Sequence, residues 1–279
     1  MSDTSRYAVF GHPIGHSLSP QIHRAFAEQT GIDLVFDPID APPATFAAQL
    51  RAFGETGGRG ASITLPLKPL AFGLCDKVSD EAARAGVVNA LEALPNGRWC
   101  GHNTDGSGLV ADLGERHRID LRERDVLLLG AGGAAQGIAF ALLDAGIGNL
   151  TIASRTPERA DALADHIGQP GRVHVRYWTD LGNSGSYNFV IDATAAGVEG
   201  AALDLPFNVL APRALCYALS YGKTATGFLA WARAAGAAQA LDGLGMLVEQ
   251  AAEAFEIWHG VRPDTAPVYA ALRERMPTP

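Results

Sequence analysis

Short apolar runs closed by glycine or proline alternate along the chain with stretches whose apolar residues recur at helical spacing. Arg6 to Phe10 predicts a short buried strand, ended by Gly11 and Pro13. Ser19-Pro20 predicts a helix start, with Ser19 as N-cap and Pro20 at the first helical position, and Ile22, Ala25 and Phe26 continue one face. Leu34 to Ile39 and Gly60 to Thr64 predict strands on either side of a helix from Pro43 to Phe53. Lys77 to Ala85 predicts a helix, Val87 to Leu94 a strand, and a further helix is expected to start near Thr104-Asp105-Gly106.

The alternation sharpens in the second half. Asp125 to Leu129 reads as a buried parallel strand, and Gly130-Ala131-Gly132-Gly133-Ala134-Ala135 turns from it into a helix running from Gln136 to Ala145. Strands are expected at Asn149 to Ala153, Val173 to Tyr177, Phe189 to Ala193 and Ala214 to Leu219, with a helix from Pro157 to His166. Gly245 to Trp258 and Ala266 to Arg275 predict two closing helices that pack back on the first domain. The class is α/β: an N-terminal α/β domain followed by a doubly wound, Rossmann-like nucleotide domain.

The chain has 279 residues, 47% of them apolar, enough for two domains with buried cores. Its net charge of −8 speaks against a nucleic-acid backbone as partner. The longest uncharged run, Val126 to Leu143, is split by four glycines and reads as core and not as a membrane span. Cys75, Cys100 and Cys216 are too few and too widely spaced for a disulfide framework, which suits a reducing, cytoplasmic setting. No metal site is expected: His12, His16 and His23 lack zinc-site spacing, as does Cys100-Gly101-His102.

Residues 130–135 match G-x-G-x-x-G/A in its required setting between strand and helix. There the first glycine permits a tight turn and the second lets a pyrophosphate approach the backbone. The third position needs a small residue so that helix and sheet can pack closely. The following strand ends in Ser154-Arg155-Thr156-Pro157-Glu158-Arg159, without the carboxylate that would bind the ribose of NAD. Arg155 and Arg159 instead offer guanidinium forks suited to a 2′-phosphate, so NADP is the expected cofactor.

Four further patterns are each unremarkable alone: Gly11-His12-Pro13-Ile14-Gly15-His16-Ser17-Leu18-Ser19-Pro20, Ser62-Ile63-Thr64-Leu65-Pro66-Leu67-Lys68, Gly86-Val87-Val88-Asn89-Ala90 and Asn103-Thr104-Asp105-Gly106. In this order, with residues 130–135, Ser154-Arg155-Thr156 and the 242–251 segment Asp-Gly-Leu-Gly-Met-Leu-Val-Glu-Gln-Ala, the chain resembles the shikimate dehydrogenase family from Tyr7 to about Pro267. The resemblance implies reduction of 3-dehydroshikimate to shikimate with NADPH, in chorismate and aromatic amino-acid biosynthesis. It places the catalytic lysine at Lys68 and the catalytic aspartate at Asp105. Substrate contacts would fall on Ser17, Ser19, Thr64, Asn89, Tyr221 and Gln250. Cofactor contacts would fall on Gly130, Ala131, Gly132, Gly133, Ala134, Ser154, Arg155, Thr156, Arg159, Thr194, Leu219 and Gly243.

A substrate-binding catalytic domain would then comprise residues 1–104 and 243–279, and an NADP-binding domain residues 105–242. The expected partner is a small-molecule substrate, with neither nucleic acid nor membrane; a homodimer is left open. Ser62 stands where the family commonly has Asn, Ala90 where Thr is common, Ala218 where Asp is usual, and residues 224–228 lack the family's Thr-Pro-Phe. Alternatives are a quinate/shikimate dehydrogenase using NAD as well, a non-catalytic sensor of shikimate or NADP(H), and another two-domain NAD(P) enzyme acting on an amino acid or a folate.

Overall fold

The computed structural model describes residues 5–201, 203–276 and 278. Residues 1–4, 277 and 279 of the expected substrate domain, and residue 202 of the expected NADP domain, lie outside the described residues. The chain divides into two compact units, one of residues 1–108 and 247–271, the other of residues 109–246 and 272–279. The division differs from the expected bounds at 105–108, 243–246 and 272–279. Gly108 is packed so closely on Gln250 that an added Cβ would lie 2.8 Å from the Gln250 backbone nitrogen. Arg273 donates to Asp242, which ties the chain's last turn to the second unit.

The first unit opens with β1 (Ser5–Gly11), α1 (Ser19–Thr30), β2 (Leu34–Asp40), α2 (Pro43–Glu55) and β3 (Gly58–Ile63). It continues with α3 (Lys68–Phe72), β4 (Lys77–Val78), α4 (Asp80–Ala85), β5 (Ala90–Leu94), β6 (Arg98–His102) and the start of α5 (Asp105–Ala111). Its sheet runs β2-β1-β3-β5-β6-β4. Strands β2, β1 and β3 are parallel, and β5 is antiparallel to both β3 and β6. Phe10, Phe46, Leu50, Ile63, Leu67 and Leu91 fill the core on one face of this sheet.

Three expectations are corrected. Ser19 is not the cap of α1: Leu18 holds that position, and the Ser17 hydroxyl oxygen accepts from the Ser19 amide at 3.3 Å. The helix expected from Lys77 is first a strand, because the Ser79 side chain accepts from the Ala82 amide and fixes the helix start after it. The strand expected from Val87 starts at Ala90, since the left-handed Gly86 ends α4 and residues 87–89 form the connection.

The second unit contains β7 (Asp125–Leu129), α6 (Gly133–Asp144), β8 (Asn149–Ser154), α7 (Pro157–Ile167), β9 (Val173–Tyr177), β10 (Tyr187–Asp192), α8 (Ala196–Glu199), β11 (Leu210–Ala218), α9 (Thr226–Ala234) and β12 (Gln239–Leu241). Its sheet is parallel throughout, in the order β12-β11-β10-β7-β8-β9. Chain order therefore reverses between β7 and β10, the switch point where doubly wound sheets bind nucleotides. Val126, Leu128, Ile138, Leu142, Ile152 and Ile191 form one core beneath this sheet. Leu127, Leu129, Val190, Cys216, Phe228 and Leu229 form the other. Helices α10 (Leu244–His259) and α11 (Thr265–Arg275) close the chain, and most of both belongs to the first unit. Among the described residues no helix is long and apolar enough to cross a membrane.

Candidate active site

The first unit gathers Lys68, Asn89, Asp105 and Gln250 into one hydrogen-bonded cluster. Lys68 opens α3, past the four-residue turn 64–67 that follows β3, and its Nζ donates to Asp105 Oδ2 at 2.5 Å. The pair is largely shielded, with 13% of the lysine side chain and 6% of the aspartate side chain exposed. The other carboxylate oxygen, Oδ1, accepts from Asn89 Nδ2 at 3.0 Å. Asn89 cannot turn its amide over, because its Oδ1 accepts from the Thr104 backbone amide at 2.8 Å. Its Nδ2 also lies 3.1 Å from Gln250 Oε1 on α10. Thr104 completes the frame by donating its hydroxyl to the Gln250 carbonyl. Buried polar groups fully engaged in this way fix each other's orientation.

The loop before α1 is docked on the same unit. An added Cβ on Gly11 would lie 2.5 Å from Thr64 Cγ2, and the His12 amide donates to the Leu65 carbonyl. Thr64 itself continues the β1–β3 ladder by donating its amide to Phe10. Ser19 is buried and Ser17 half-buried at the start of α1. Tyr221 belongs to the second unit, in the turn after β11, where its carbonyl accepts from the Thr224 hydroxyl.

In the second unit, Gly130 takes φ +103, and an added Cβ would meet the Ala193 carbonyl oxygen at 3.0 Å. Only glycine fits such a turn without strain. Gly132 faces open space, with nothing within 4 Å of an added Cβ. It precedes α6 as a cap without a side chain, which leaves the first amides of the helix for a ligand. Ala131 and Gly133 flank Gly132 in the same turn, and Ala134 follows in the first helical turn. Ala135, at the third position of the motif, is fully buried against the sheet.

At the end of β8 the Ser154 hydroxyl oxygen accepts from the Thr156 amide, and Thr156 precedes α7. Arg155 and Arg159 are exposed. Arg155 lies 3.5 Å from Glu199, but both side chains are more than half exposed, so this pair is weak and easily exchanged.

Thr194 is held by a residue that sequence reasoning missed. Asp192, at the end of β10, accepts from both the amide and the hydroxyl of Thr194. Burial pushes the Asp192 carboxyl above its usual range. Leu219 and Gly243 meet at the ends of β11 and β12, where an added Cβ on Gly243 would lie 2.3 Å from the Leu219 carbonyl oxygen. Asp242, also missed, accepts from Arg273 at 2.5 and 3.0 Å and from the Leu244 amide, and so pins this junction.

Comparisons with known proteins agree along the chain. Residues 9–91 match the family described as Shikimate dehydrogenase substrate binding domain. Residues 112–198 match Shikimate / quinate 5-dehydrogenase, and residues 243–273 match Shikimate 5'-dehydrogenase C-terminal domain. A shikimate dehydrogenase (NADP(+)) of Xanthomonas oryzae pv. oryzae is 56% identical over 97% of this chain and 96% of its own. The chain belongs to the shikimate dehydrogenase family.

Among solved structures of this fold, an Ael1 enzyme from Pseudomonas putida is 43% identical, with a TM-score of 0.86 over 96% of this chain and 98% of that one. A shikimate 5-dehydrogenase from Thermus thermophilus, in complex with NADP(H) and shikimate, is 33% identical, with a TM-score of 0.82 over 98% of this chain and all of that one. Two of this family member's departures are register partners: Ser62 on β3 faces Ala90 on β5. Ala218 pairs with Asp192 across β11 and β10. An aspartate at 218 would stand beside that buried carboxylate, and two like charges there would repel each other.

Proposed function

We propose that the chain is an NADP-dependent dehydrogenase that reduces 3-dehydroshikimate to shikimate. The observation that carries this reading is the shielded Lys68–Asp105 pair with Asn89 and Gln250 hydrogen-bonded around it. In this reading the first unit binds substrate. Ser17 and Ser19 hold the carboxylate, assisted by Tyr221, while Thr64, Asn89, Asp105 and Gln250 meet the ring hydroxyls. The second unit binds NADP through residues 130–134, with Thr194, Leu219 and Gly243 lining the nicotinamide side. The side-chain-free start of α6 and the open face of Gly132 fit a pyrophosphate.

The dinucleotide, when bound, supplies the hydride. Lys68 then has a defined task. An ammonium carries three protons, and one is committed to Asp105 Oδ2. Another is donated to the oxyanion formed at the substrate carbonyl, leaving a neutral amine and an alcohol. Asp105, fixed by Asn89, orients Lys68 throughout. The cysteines are free, which suits the cytoplasmic setting of this reading.

Ser154, Arg155, Thr156 and Arg159 are the proposed seat of the 2′-phosphate. Arg155→Ala is expected to raise the dissociation constant for NADP by roughly ten- to a hundredfold, the loss of a charge-assisted contact of about 1.5–3 kcal/mol. The constant for NAD should scarcely move. Equal weakening of both, measured by fluorescence titration, would remove Arg155 from the 2′-phosphate site.

The reading as a whole is tested by following reduced-nicotinamide absorbance with shikimate and NADP⁺, beside shikimate with NAD⁺ and quinate with NADP⁺. Turnover with shikimate and NADP⁺ alone is the expected result. Comparable turnover of quinate or use of NAD⁺ would replace it with the broader quinate/shikimate activity. Binding without turnover in every pair would replace it with a sensor.

A further inference from the structure

We infer that the β5–β6 hairpin carries a divalent-cation site formed by Glu92, Cys100 and His102. Cys100 and His102 are two residues apart on β6, so both project from the same face of the sheet. Glu92 on β5 lies directly opposite Cys100 in the antiparallel register and shares that face. A carboxylate oxygen, the thiol sulfur and a ring nitrogen, one from each residue, all lie within 4.8 Å of one another. Small side-chain adjustments bring such atoms to the about 2.0–2.3 Å at which zinc takes oxygen, nitrogen and sulfur.

A second observation points to a ligand. His102 Nε2 is closed off from solvent and makes no hydrogen bond among the described residues, although Glu92 Oε2 lies 3.5 Å away. A buried ring nitrogen left in that state is costly, and a cation between it and the carboxylate would satisfy both. The mixed sulfur, nitrogen and oxygen set selects a cation of borderline softness, of the zinc class, over magnesium or calcium. Three protein ligands leave one tetrahedral position for water. On binding, the Cys100 thiol releases its proton to solvent and the sulfur binds as thiolate.

The other thiol nearby is not a fourth ligand. An added Cβ on Gly101 would lie 2.6 Å from Cys75 Sγ, so Cys75 is on the opposite face of β6, where it donates to the Ala71 carbonyl. The sequence offered Cys100 and His102 without their partner; the antiparallel register supplies Glu92.

Cobalt(II) is the probe, because its thiolate complexes absorb in the near ultraviolet and its four-coordinate complexes absorb strongly in the visible. Titration of the full chain is expected to produce both bands at one equivalent, and zinc(II) to bleach them. Removal of supporting groups around metal sites alone weakens binding by about 10–100-fold, so Cys100→Ser and His102→Ala should weaken it at least that much. Cys100→Ser should abolish the near-ultraviolet band. Glu92→Gln should weaken binding while retaining that band, and Cys75→Ser should leave both unchanged. Circular dichroism monitors the fold of each variant. Absence of a thiolate band in the folded parent chain would leave only a Glu92–His102 ion pair and overturn the inference. Equal binding by the folded Cys100→Ser variant, or loss of the band in Cys75→Ser, would overturn it as well.

Discussion

Lys68→Ala is expected to lower kcat by about 10²–10⁴, with a smaller change in KM. That range corresponds to about 3–5 kcal/mol of transition-state stabilisation, the magnitude expected of a group that acts on charge as it develops. The ground-state carbonyl is neutral and gains little from an ammonium, whereas the developing oxyanion gains both a counter-charge and a proton. Shielding of the pair strengthens the effect, because a low-dielectric setting screens charges less. Lys68→Ala also leaves Asp105 without its ion partner, so Lys68→Arg is the informative companion. Arginine can restore an ion pair with Asp105, but its guanidinium does not give up a proton near neutral pH. Recovery of thermal stability with kcat still depressed is the expected pattern for the arginine variant. Full kcat in either variant would exclude Lys68 as the proton donor.

Much of the fold was legible in the sequence where it is built from short segments whose turn chemistry is local. Gly130 is required by its positive φ, which follows from a strand that turns sharply into a helix, whereas its close contact with the Ala193 carbonyl comes from just past the end of β10 and has no local signal. The alternation of β7, α6 and β8 was visible because buried parallel strands are almost wholly apolar. Short or mixed elements were harder to see. Strand β6 contains Gly101 between Cys100 and His102, and β12 is a three-residue edge strand that begins with an exposed glutamine. Helix α3 is five residues long and has Pro69 as its second residue, too short for any periodicity to show.

Within each unit, the partnerships that hold the candidate residues depend on register and on distant chain segments. Asn89 and Gln250 are 161 positions apart, and no local pattern links them. Family resemblance named both residues, but Thr104, which positions them, reads alone as part of a helix cap. Asp242 and Arg273 pair across a gap of 31 positions, and Asp192 bonds Thr194 through a turn that its sequence does not distinguish from others. Ser19 shows the reverse error. Ser-Pro is a strong local signal for a cap, yet the Ser17 side chain takes the Ser19 amide and moves the helix boundary by one residue.

Between pH 7 and pH 4 the first unit is expected to lose stability through His23, and replacement of this residue should flatten that dependence. His23 lies on α1 with none of its surface exposed, stacked 4.2 Å from the Phe36 ring and beside Trp258 and Phe255. Neither ring nitrogen has a hydrogen-bond partner among the described residues. Burial, helped by His259, pulls its pKa down to about 3, from 6.5 in an exposed histidine. The folded chain therefore keeps His23 neutral, while the unfolded chain takes up a proton below about pH 6.5. Stability from this group is fully present above that pH and is lost as the pH falls towards 3, by on the order of 5 kcal/mol across the whole window. His259, itself pulled down by burial, adds in the same direction. His23→Phe keeps an aromatic ring in the stack, and any overpacking would shift its stability by a similar amount at every pH. Its urea-unfolding free energy should therefore fall less steeply than that of the parent chain between pH 6.5 and 4. Ring-proton NMR gives the direct measurement: His23 should show no titration between pH 7 and 5. A midpoint near 6.5, or parallel slopes for parent and variant, would show that the ring carries its proton in the folded state.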